Sequence, residues 1–231
     1  MKIKKITDKI DRLLTKVSFW FLAKKEIKLA RILVNHKINK YKPVKFLFPD
    51  TNRYYTLFLC TEKILENKIS GHLAELGVYQ ADFSREISLL LPDKDIYLFD
   101  TFDGFDDKQL AYDVSNFSTQ NKSFVSSEDI VLNKMPYPNR CIVKKGVFPD
   151  TARDVKTSFC LVSIDADLYT PTLAGLNFFY PNLVNGGFIF VHDYNNKNWP
   201  GVKKAVDKFI NKMKINFVPI PDANGTIIIT K

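Results

Sequence analysis

The sequence predicts an α/β fold in which a doubly wound, mostly parallel sheet carries helices on both faces. Short apolar runs rich in Val, Ile, Leu and Phe alternate with segments of helical periodicity, a pattern typical of buried parallel strands joined by helices. Several of these runs stop abruptly at acidic residues. The chain ends in two apolar runs around Asn224-Gly225, a strong hairpin signal, so the sheet should finish with an antiparallel pair.

The order of the elements indicates a seven-stranded sheet. Five strands are predicted in the alternating part and two in the hairpin: 71–76, 95–99, 140–144, 161–164, 187–191, 216–220 and 226–230. Helical periodicity occupies five further segments: 54–67, 82–91, 127–135, 170–180 and 201–213. Ser126 or Ser127 is the expected cap of the third helix. Residues 111–127 are polar and aromatic, and we expect a mobile insert over the site there.

Length and charge divide the chain into two parts. We expect residues 1–67 to form a basic helical extension or lid and residues 68–231 to form the main domain, since 45% hydrophobic content supports a sizeable core. Residues 1–50 hold 14 of the 34 Lys and Arg residues but only 4 of the 25 Asp and Glu residues. The main domain is therefore close to neutral, which argues against nucleic acid as its partner.

The N-terminal extension leaves several partners open. Its apolar spacing indicates amphipathic helices, which suit a solvated basic surface, a peripheral membrane contact or a homodimer. The apolar run at residues 17–23 is too short for a bilayer span, which takes about 20 residues. No signal peptide is apparent, and three scattered cysteines suggest a reducing compartment. We therefore expect a cytoplasmic protein, with the inner face of the membrane as the alternative.

The ends of the fourth and fifth strands carry the residues best suited to chemistry. Asp165 and Asp167 follow the fourth strand, and His192 and Asp193 follow the fifth. Ligands of open parallel sheets bind beyond the carboxyl ends of the strands, so these side chains should border one cleft. Such a set can hold a divalent cation, with Mg²⁺ favoured by the carboxylates and Mn²⁺ by the imidazole. The alternatives are a metal-free acid/base site and a His192 that only orients Asp193.

The ends of the first two strands indicate the cofactor. Glu75 and Gly77 stand at the first strand-to-helix turn, and Asp100 ends the second strand. A dinucleotide site needs further glycines, but Tyr79 and Asp82 stand at those positions, so NAD fits poorly. S-adenosylmethionine has no phosphate, its positive charges suit Glu75, and its ribose hydroxyls suit Asp100. The alternatives are a buried structural carboxylate at Glu75 and a cap or turn residue at Asp100.

The chain resembles the macrocin O-methyltransferase family in four blocks that occur in order: GHLAELGVYQADFSREI with YLFDTFDGF, then KKGVFPDT, then SIDADLYTPT, then GGFIFVHDYN with GVKKAVDKF. The resemblance covers about residues 70–231 and implies a Rossmann-like class I methyltransferase domain. It further implies use of S-adenosylmethionine, usually with magnesium, to methylate sugar hydroxyls. Two adjacent aspartates usually precede the tyrosine after the fifth strand in this family, and His192 takes the first of these positions here.

The resemblance also implies roles for individual residues. The cofactor pocket would be lined by Glu75, Gly77, Tyr79, Ser84, Asp100, Thr101 and Phe102. It further implies that the acidic residues after the fourth and fifth strands hold the divalent cation. The chemistry of the residues themselves makes Asp165 the first-choice ligand, which also takes or positions the proton of the acceptor, Asp193 the second ligand, and His192 a third ligand or a general base. Asn195, Asn196 and Trp199 follow the fifth strand and are candidates to line an acceptor pocket, where Trp199 either stacks on a sugar or packs against the helix that follows it.

The predicted function is methyl transfer from S-adenosylmethionine to a hydroxyl of a saccharide or a saccharide-bearing metabolite, assisted by a divalent cation, in a bacterium. The alternative is a catalytically inactive protein that binds a cofactor or a partner on the same fold, because a fold alone does not guarantee an activity.

Overall fold

The computed structural model describes residues 51–119 and 124–231. Its strands are β1 (His72–Leu76), β2 (Ile96–Asp100), β3 (Cys141–Lys145), β4 (Phe159–Ile164), β5 (Leu183–Val191), β6 (Val218–Ile220) and β7 (Thr226–Thr230). Its α-helices are α1 (Thr51–Glu66), α2 (Asp82–Leu90), α3 (Asp107–Phe117), α4 (Glu128–Lys134), α5 (Tyr169–Asn182) and α6 (Pro200–Met213). The helices predicted within residues 1–50 lie outside the described residues.

The strands form one seven-stranded sheet of order β3-β2-β1-β4-β5-β7-β6. The neighbouring strands β3, β2, β1, β4 and β5 run parallel to one another, while β7 pairs antiparallel with both β5 and β6. The predicted doubly wound sheet with an antiparallel C-terminal pair is confirmed. The strand order reverses between β1 and β4, and open sheets bind ligands at such a switch point.

Helices cover both faces of the sheet because alternate residues of a strand point to opposite sides. On one face, Ile189 of β5 packs in a core cluster with Phe179 of α5 and Phe209 of α6. On the other, Phe190 packs in a second cluster with Leu57 of α1 and Ile87 of α2. The helix α1 thus packs directly against the sheet. The domain boundary predicted between residues 67 and 68 remains a prediction.

The segment predicted as a mobile insert contains a helix, so this expectation is wrong for residues 111–117. The helix α3 begins after Asp106, whose carboxylate accepts a hydrogen bond from the Gln109 amide. Buried Asp113 accepts hydrogen bonds from the Tyr169 amide at 2.9 and 3.1 Å and so attaches α3 to the start of α5. The sequence did not predict this helix, because the segment is locally polar and the contacts that hold it are to residues far away in the chain. Residues 120–123 lie outside the described part of the chain.

Candidate active site

A cleft of about 440 Å³ opens at the carboxyl ends of the parallel strands, beside the switch point. This volume lies within the range of roughly 300–1,000 Å³ that small-molecule sites occupy. Acidic residues from several strand ends and loops line the cleft: Glu75, Asp82, Asp100, Asp106, Asp165, Asp167 and Asp193. A cleft of this charge favours a cationic or a neutral hydroxylated ligand over a phosphate.

The turn after β1 brings its backbone against the end of β4. Gly77 has a φ of +84°, and a Cβ atom there would lie 2.0 Å from the Asp165 carbonyl oxygen. The Asp165 amide donates to the Leu76 carbonyl at 2.8 Å, which holds the two strand ends at this separation. Glycine is therefore required at position 77 for packing between strands, with Tyr79 at φ +47° completing the turn.

Glu75 lies at the inner end of the cleft and is only 2% exposed. Its carboxyl group accepts hydrogen bonds from the hydroxyls of Ser84 and Ser163, the latter at 3.0 Å. Burial raises the pKa of Glu75 to about 7, against the lowering effect of the Ser84 hydrogen bond and the Arg53 charge. An added positive charge in the cleft would stabilise the ionised form, which suits a cationic donor.

Asp100 accepts hydrogen bonds from three backbone amides. Its Oδ2 atom lies 2.7 Å from the Val78 nitrogen and 2.9 Å from the Tyr79 nitrogen, and its Oδ1 atom lies 2.7 Å from the Phe102 nitrogen. The carboxylate thus fixes the turn after β1 as well as its own turn. Each oxygen can accept more than one hydrogen bond, so the predicted contact with ribose hydroxyls stays open.

The other predicted cofactor residues occupy two kinds of position. Gly77, Tyr79 and Thr101 line the cleft together with Glu75 and Asp100, and Tyr79 is 43% exposed. Ser84 and Phe102 lie beneath this wall, both almost fully buried. Ser84 contacts Glu75, and Phe102 packs in the second core cluster, so their positions indicate support of the wall.

Asp165, His192 and Asp193 meet in the cleft at the carboxyl ends of β4 and β5. The His192 Nδ1 atom lies 3.1 Å from Asp165 Oδ1 and 3.4 Å from Asp193 Oδ1. One potential ligand atom from each of the three residues falls within 4.8 Å of the others. Asp193 has a φ of +63° and neighbouring Asp167 one of +59°. Backbones in this region are strained for non-glycine residues, and such strain clusters at functional sites.

The charged groups of this cluster shift one another's pKa values. Burial and the Arg53 charge lower the pKa of His192, but the carboxylates of Asp165 and Asp193 outweigh both and raise it to about 10. Burial would raise the pKa of Asp165, but the charges of His192 and Arg53 outweigh it and lower that pKa. Burial and the neighbouring carboxylates of Asp165 and Asp193 raise the pKa of Asp167 well above its usual value.

The donor set fits a divalent cation. The His192 Nε2 atom is buried and has no hydrogen-bond partner among the described residues, which is unusual for a buried polar atom. Carboxylate oxygens of Asp165 and Asp193 complete a set of two hard ligands and one imidazole. Oxygen ligands suit Mg²⁺, and an added imidazole suits Mn²⁺ or a similar ion.

Sequence reasoning missed two residues of the cleft. Arg53 reaches Asp165 from α1, and Asn224 of the turn between β6 and β7 lines the cleft. Asn196, one of the residues expected after the fifth strand to line an acceptor pocket, does line the cleft and donates to Asp193 Oδ1 at 2.8 Å. The ring of Trp199 packs against Phe105, with the ring centroids 5.5 Å apart, and Trp199 is only 4% exposed. Packing therefore accounts for most of the Trp199 surface.

The sheet order, the antiparallel end and the acidic cleft at the switch point define a class I methyltransferase fold. The structure of the O-methyltransferase NovP matches with a TM-score of 0.65 at 23% identity, over 78% of this chain and 80% of that one. The calicheamicin methyltransferase CalS11 matches with a TM-score of 0.61 at 20% identity, over 89% of this chain and 92% of that one. These similarities confirm the predicted fold.

The sequence then identifies the family. The family model of macrocin O-methyltransferase matches residues 49–227, so the chain belongs to this family, a family of O-methyltransferases, as its four sequence blocks predicted. The chain is also 27% identical over 170 residues to demethyldecarbamoylnovobiocin O-methyltransferase of Streptomyces niveus, over 68% of this chain. That match spans 64% of the relative, slightly under two thirds of its length.

Proposed function

We propose that this protein is an enzyme that transfers the methyl group of S-adenosylmethionine to a hydroxyl of a sugar or of a small molecule that carries one. The observation that carries the proposal is a single cleft that joins two acidic sets. Glu75 and Asp100 border it from the ends of β1 and β2, and Asp165 and Asp193 border it from the ends of β4 and β5. One set suits a cationic donor and the other an acceptor hydroxyl.

The donor side fits S-adenosylmethionine in charge and in shape. S-adenosylmethionine, when bound, supplies an electrophilic methyl group on a positively charged sulfur. Glu75, Gly77, Tyr79, Asp100 and Thr101 would hold it, with Ser84 and Phe102 beneath them. The buried Glu75 carboxyl gains a counter-charge from such a ligand, while the turn after β1 lacks the glycines that approach a pyrophosphate.

The acceptor side offers a proton acceptor and neutral hydrogen-bonding groups. A hydroxyl that attacks the methyl carbon must lose its proton, and Asp165 is the carboxylate best placed to receive it. His192 contacts the same carboxylate at 3.1 Å and stabilises its ionised form. The Asp165 side chain is 25% exposed towards the cleft and that of His192 only 9%, so Asp165 is the better candidate for the base.

A divalent cation would be held by Asp165, His192 and Asp193 and would lower the pKa of the acceptor hydroxyl. Magnesium or manganese is the ion that this donor set suits. The grouping of one potential ligand atom from each of the three residues within 4.8 Å supports this assignment. Since a coordinating imidazole must be neutral, cation binding and protonation of His192 exclude each other.

A neutral saccharide suits the acceptor side because Asn196 and Asn224 add amide groups to its carboxylates. Amides and carboxylates hydrogen-bond hydroxyls well, and the carboxylates disfavour a phosphate group directly beside them. The similar protein CalS11 agrees with a sugar hydroxyl as the acceptor group, since it is described as a TDP-rhamnose 3′-O-methyltransferase, although that sugar carries a diphosphate elsewhere. In the described part of the chain, no helix has the length and the apolar character needed to cross a membrane.

The test is transfer of a labelled methyl group from S-adenosylmethionine to a panel of glycosides and free sugars, with Mg²⁺, with Mn²⁺ and with a chelator. We expect a methylated sugar and S-adenosylhomocysteine in equal amounts. Calorimetry with S-adenosylmethionine provides the second measurement. Binding without turnover on any acceptor would favour an inactive cofactor-binding protein, and absence of binding would refute the methyltransferase assignment.

A further inference from the structure

Arg53 is a positively charged residue of the cleft to which the proposed mechanism assigns no role. It lies in the first turn of α1, only 4% of it is exposed, and its guanidinium group lines the cleft. A positive charge in the first turn of a helix is unfavourable because the helix dipole is positive there. The position of this arginine therefore needs an explanation outside its own helix.

The guanidinium group is held on three sides. Both Nη1 and Nη2 donate to Asp165 Oδ2 at 3.3 Å, and Nη2 also donates to the Ser163 hydroxyl at 3.4 Å. Its carbon atom stands 3.9 Å from the centre of the Phe83 ring of α2, a favourable cation–π contact. The Asn52 side chain adds a hydrogen bond to the Pro221 carbonyl at 2.7 Å, which anchors the start of α1.

These contacts give the two carboxylate oxygens of Asp165 different partners. Arg53 occupies Oδ2, so Oδ1 is directed to His192 and the interior of the cluster. Through Ser163, whose hydroxyl donates to Glu75 at 3.0 Å, the same guanidinium also connects the acceptor side to the donor carboxylate. Arginine remains charged at every working pH, so this counter-charge is permanent.

We propose that Arg53 is a positioning residue of the methyl-transfer site: its two-pronged contact with Oδ2 fixes the orientation of Asp165 and offsets the charge of the crowded carboxylates. This inference rests on the proposed function. Lysine cannot replace it, because a single ammonium group cannot place two planar donors on one oxygen and still cover the Phe83 ring.

The experiment compares Arg53→Gln and Arg53→Lys with Arg140→Gln as the control. Arg140 also pairs with a carboxylate, Asp95 at 3.2 Å, but at the opposite edge of the sheet. We expect Arg53→Gln to lower kcat about 10²-fold, the loss that a small misplacement of a catalytic group produces. The KM for S-adenosylmethionine should change by less than about threefold, because Glu75 loses only an indirect contact through Ser163 and Asp100 keeps its backbone hydrogen bonds.

The affinity for Mn²⁺, measured without acceptor, distinguishes a positioning role from a merely structural one. Loss of a structural residue would lower this affinity, whereas loss of the positive charge beside Asp165 should raise it. Arg53→Gln should bind Mn²⁺ about threefold more tightly, since a like charge beside Asp165 is removed. Arg53→Lys keeps the charge, so its Mn²⁺ affinity should stay near that of the wild type while its kcat falls about tenfold. A loosened site would instead lose Mn²⁺ affinity and kcat together.

Either an unchanged kcat in Arg53→Lys or a joint loss of kcat and Mn²⁺ affinity in Arg53→Gln would overturn the proposal. Circular dichroism and thermal melting check the fold of each variant, and Arg53→Lys decides the question if Arg53→Gln does not fold. If the wild type transfers no methyl group to any acceptor, the proposed function fails. The Mn²⁺ comparison still tests Arg53 in that case, so the two failures are distinguishable.

Discussion

At the scale of single residues, the carboxylate of Asp165 is held by side chains from two other elements. Arg53 contacts one of its oxygens and His192 the other, while its own backbone carbonyl lies against Gly77. The side chain is nevertheless 25% exposed, so it faces the cleft and can reach a ligand. A group that is fixed by its neighbours and open to the cleft is suited to act on an acceptor.

Replacing Asp165 by Asn should preserve binding of S-adenosylmethionine and remove most turnover. The amide has the shape of the carboxyl group but cannot accept a proton, and loss of general-base catalysis typically costs about 10²–10⁴-fold in rate. Calorimetry and the methyl-transfer assay measure the two effects separately. Asp154→Asn, at an exposed position paired with Lys144, is the control. Unchanged turnover in Asp165→Asn would remove Asp165 from the mechanism.

Glu75 should make the stability of the ligand-free protein depend on pH. Burial raises its pKa from 4.5 in the unfolded chain to about 7 in the fold. Between these values the folded state binds more protons, so the free energy of unfolding should fall as the pH rises through this window. The fall attributable to Glu75 is at most about 3.5 kcal/mol, because one pKa unit corresponds to about 1.4 kcal/mol.

Urea unfolding of the wild type and of Glu75→Gln at pH 5 and pH 7 measures the contribution of Glu75 to the pH dependence of the free energy of unfolding. Gln stays neutral, and its carbonyl oxygen can accept from one serine hydroxyl while its NH2 group donates to the other, so the variant should lose less stability over the window. The other titrating groups are common to both proteins and cancel in the comparison. Equal losses in the two proteins would show that Glu75 is ionised throughout.

The sequence predicted which acidic residues stand at strand ends, but it could not predict their partners. Asp100 was expected at the end of β2, and it is there, yet its contacts with the Val78 and Tyr79 amides depend on the turn after β1. Arg53 was missed because it lies 112 residues from Asp165 in the chain. No local pattern marks a contact of that separation.

At the scale of elements, the turn after β1 sets the distance between the two halves of the cleft. Gly77→Ala should destabilise the protein and weaken binding of S-adenosylmethionine, because its Cβ would lie 2.0 Å from the Asp165 carbonyl oxygen in a left-handed backbone. Such a backbone alone costs a non-glycine residue about 1–3 kcal/mol. Thermal melting and calorimetry measure the two effects.

Gly186→Ala is the matched control for that substitution. Gly186 has a similar φ of +79°, but its added Cβ would meet only the flexible end of the Ile69 side chain at 2.8 Å. This variant should lose stability through backbone strain and keep its affinity for S-adenosylmethionine. Equal affinity in both variants would contradict the role assigned to Gly77.

Elements with strong periodicity were predicted well, and elements held by distant contacts were not. The strand at Thr226–Thr230 was predicted with its observed bounds, and α4 begins after Ser127, one of the two expected caps. The strand β5 begins at Leu183, four residues before the prediction, because Leu183 pairs with Phe159 of β4 before the regular pairing resumes at Phe188. Between these two pairs the register shifts, and Gly186 adopts a φ of +79° there. The sequence did not predict this irregular start because it depends on the neighbouring strand.

At the scale of the whole molecule, topology creates the cleft. Parallel pairing places the ends of β1, β2, β4 and β5 at one edge, so acidic residues far apart in the chain become neighbours. The sequence predicted this edge because the fold class alone determines it. The C-terminal turn joins the same cleft through Asn224, a contribution that follows from pairing of β7 with β5. The assembly and membrane contacts expected of residues 1–50 remain predictions.

Ligand binding to this cleft should stabilise the entire fold. S-adenosylmethionine at 100 times its Kd should raise the free energy of unfolding by about 2.7 kcal/mol. For a protein of this size, that corresponds to an increase in Tm of roughly 5–10 °C. NADH at the same concentration should leave the Tm unchanged, because the turn after β1 lacks the glycines of a dinucleotide site. Thermal melting with each ligand measures the difference, and stabilisation by NADH alone would favour an oxidoreductase over a methyltransferase.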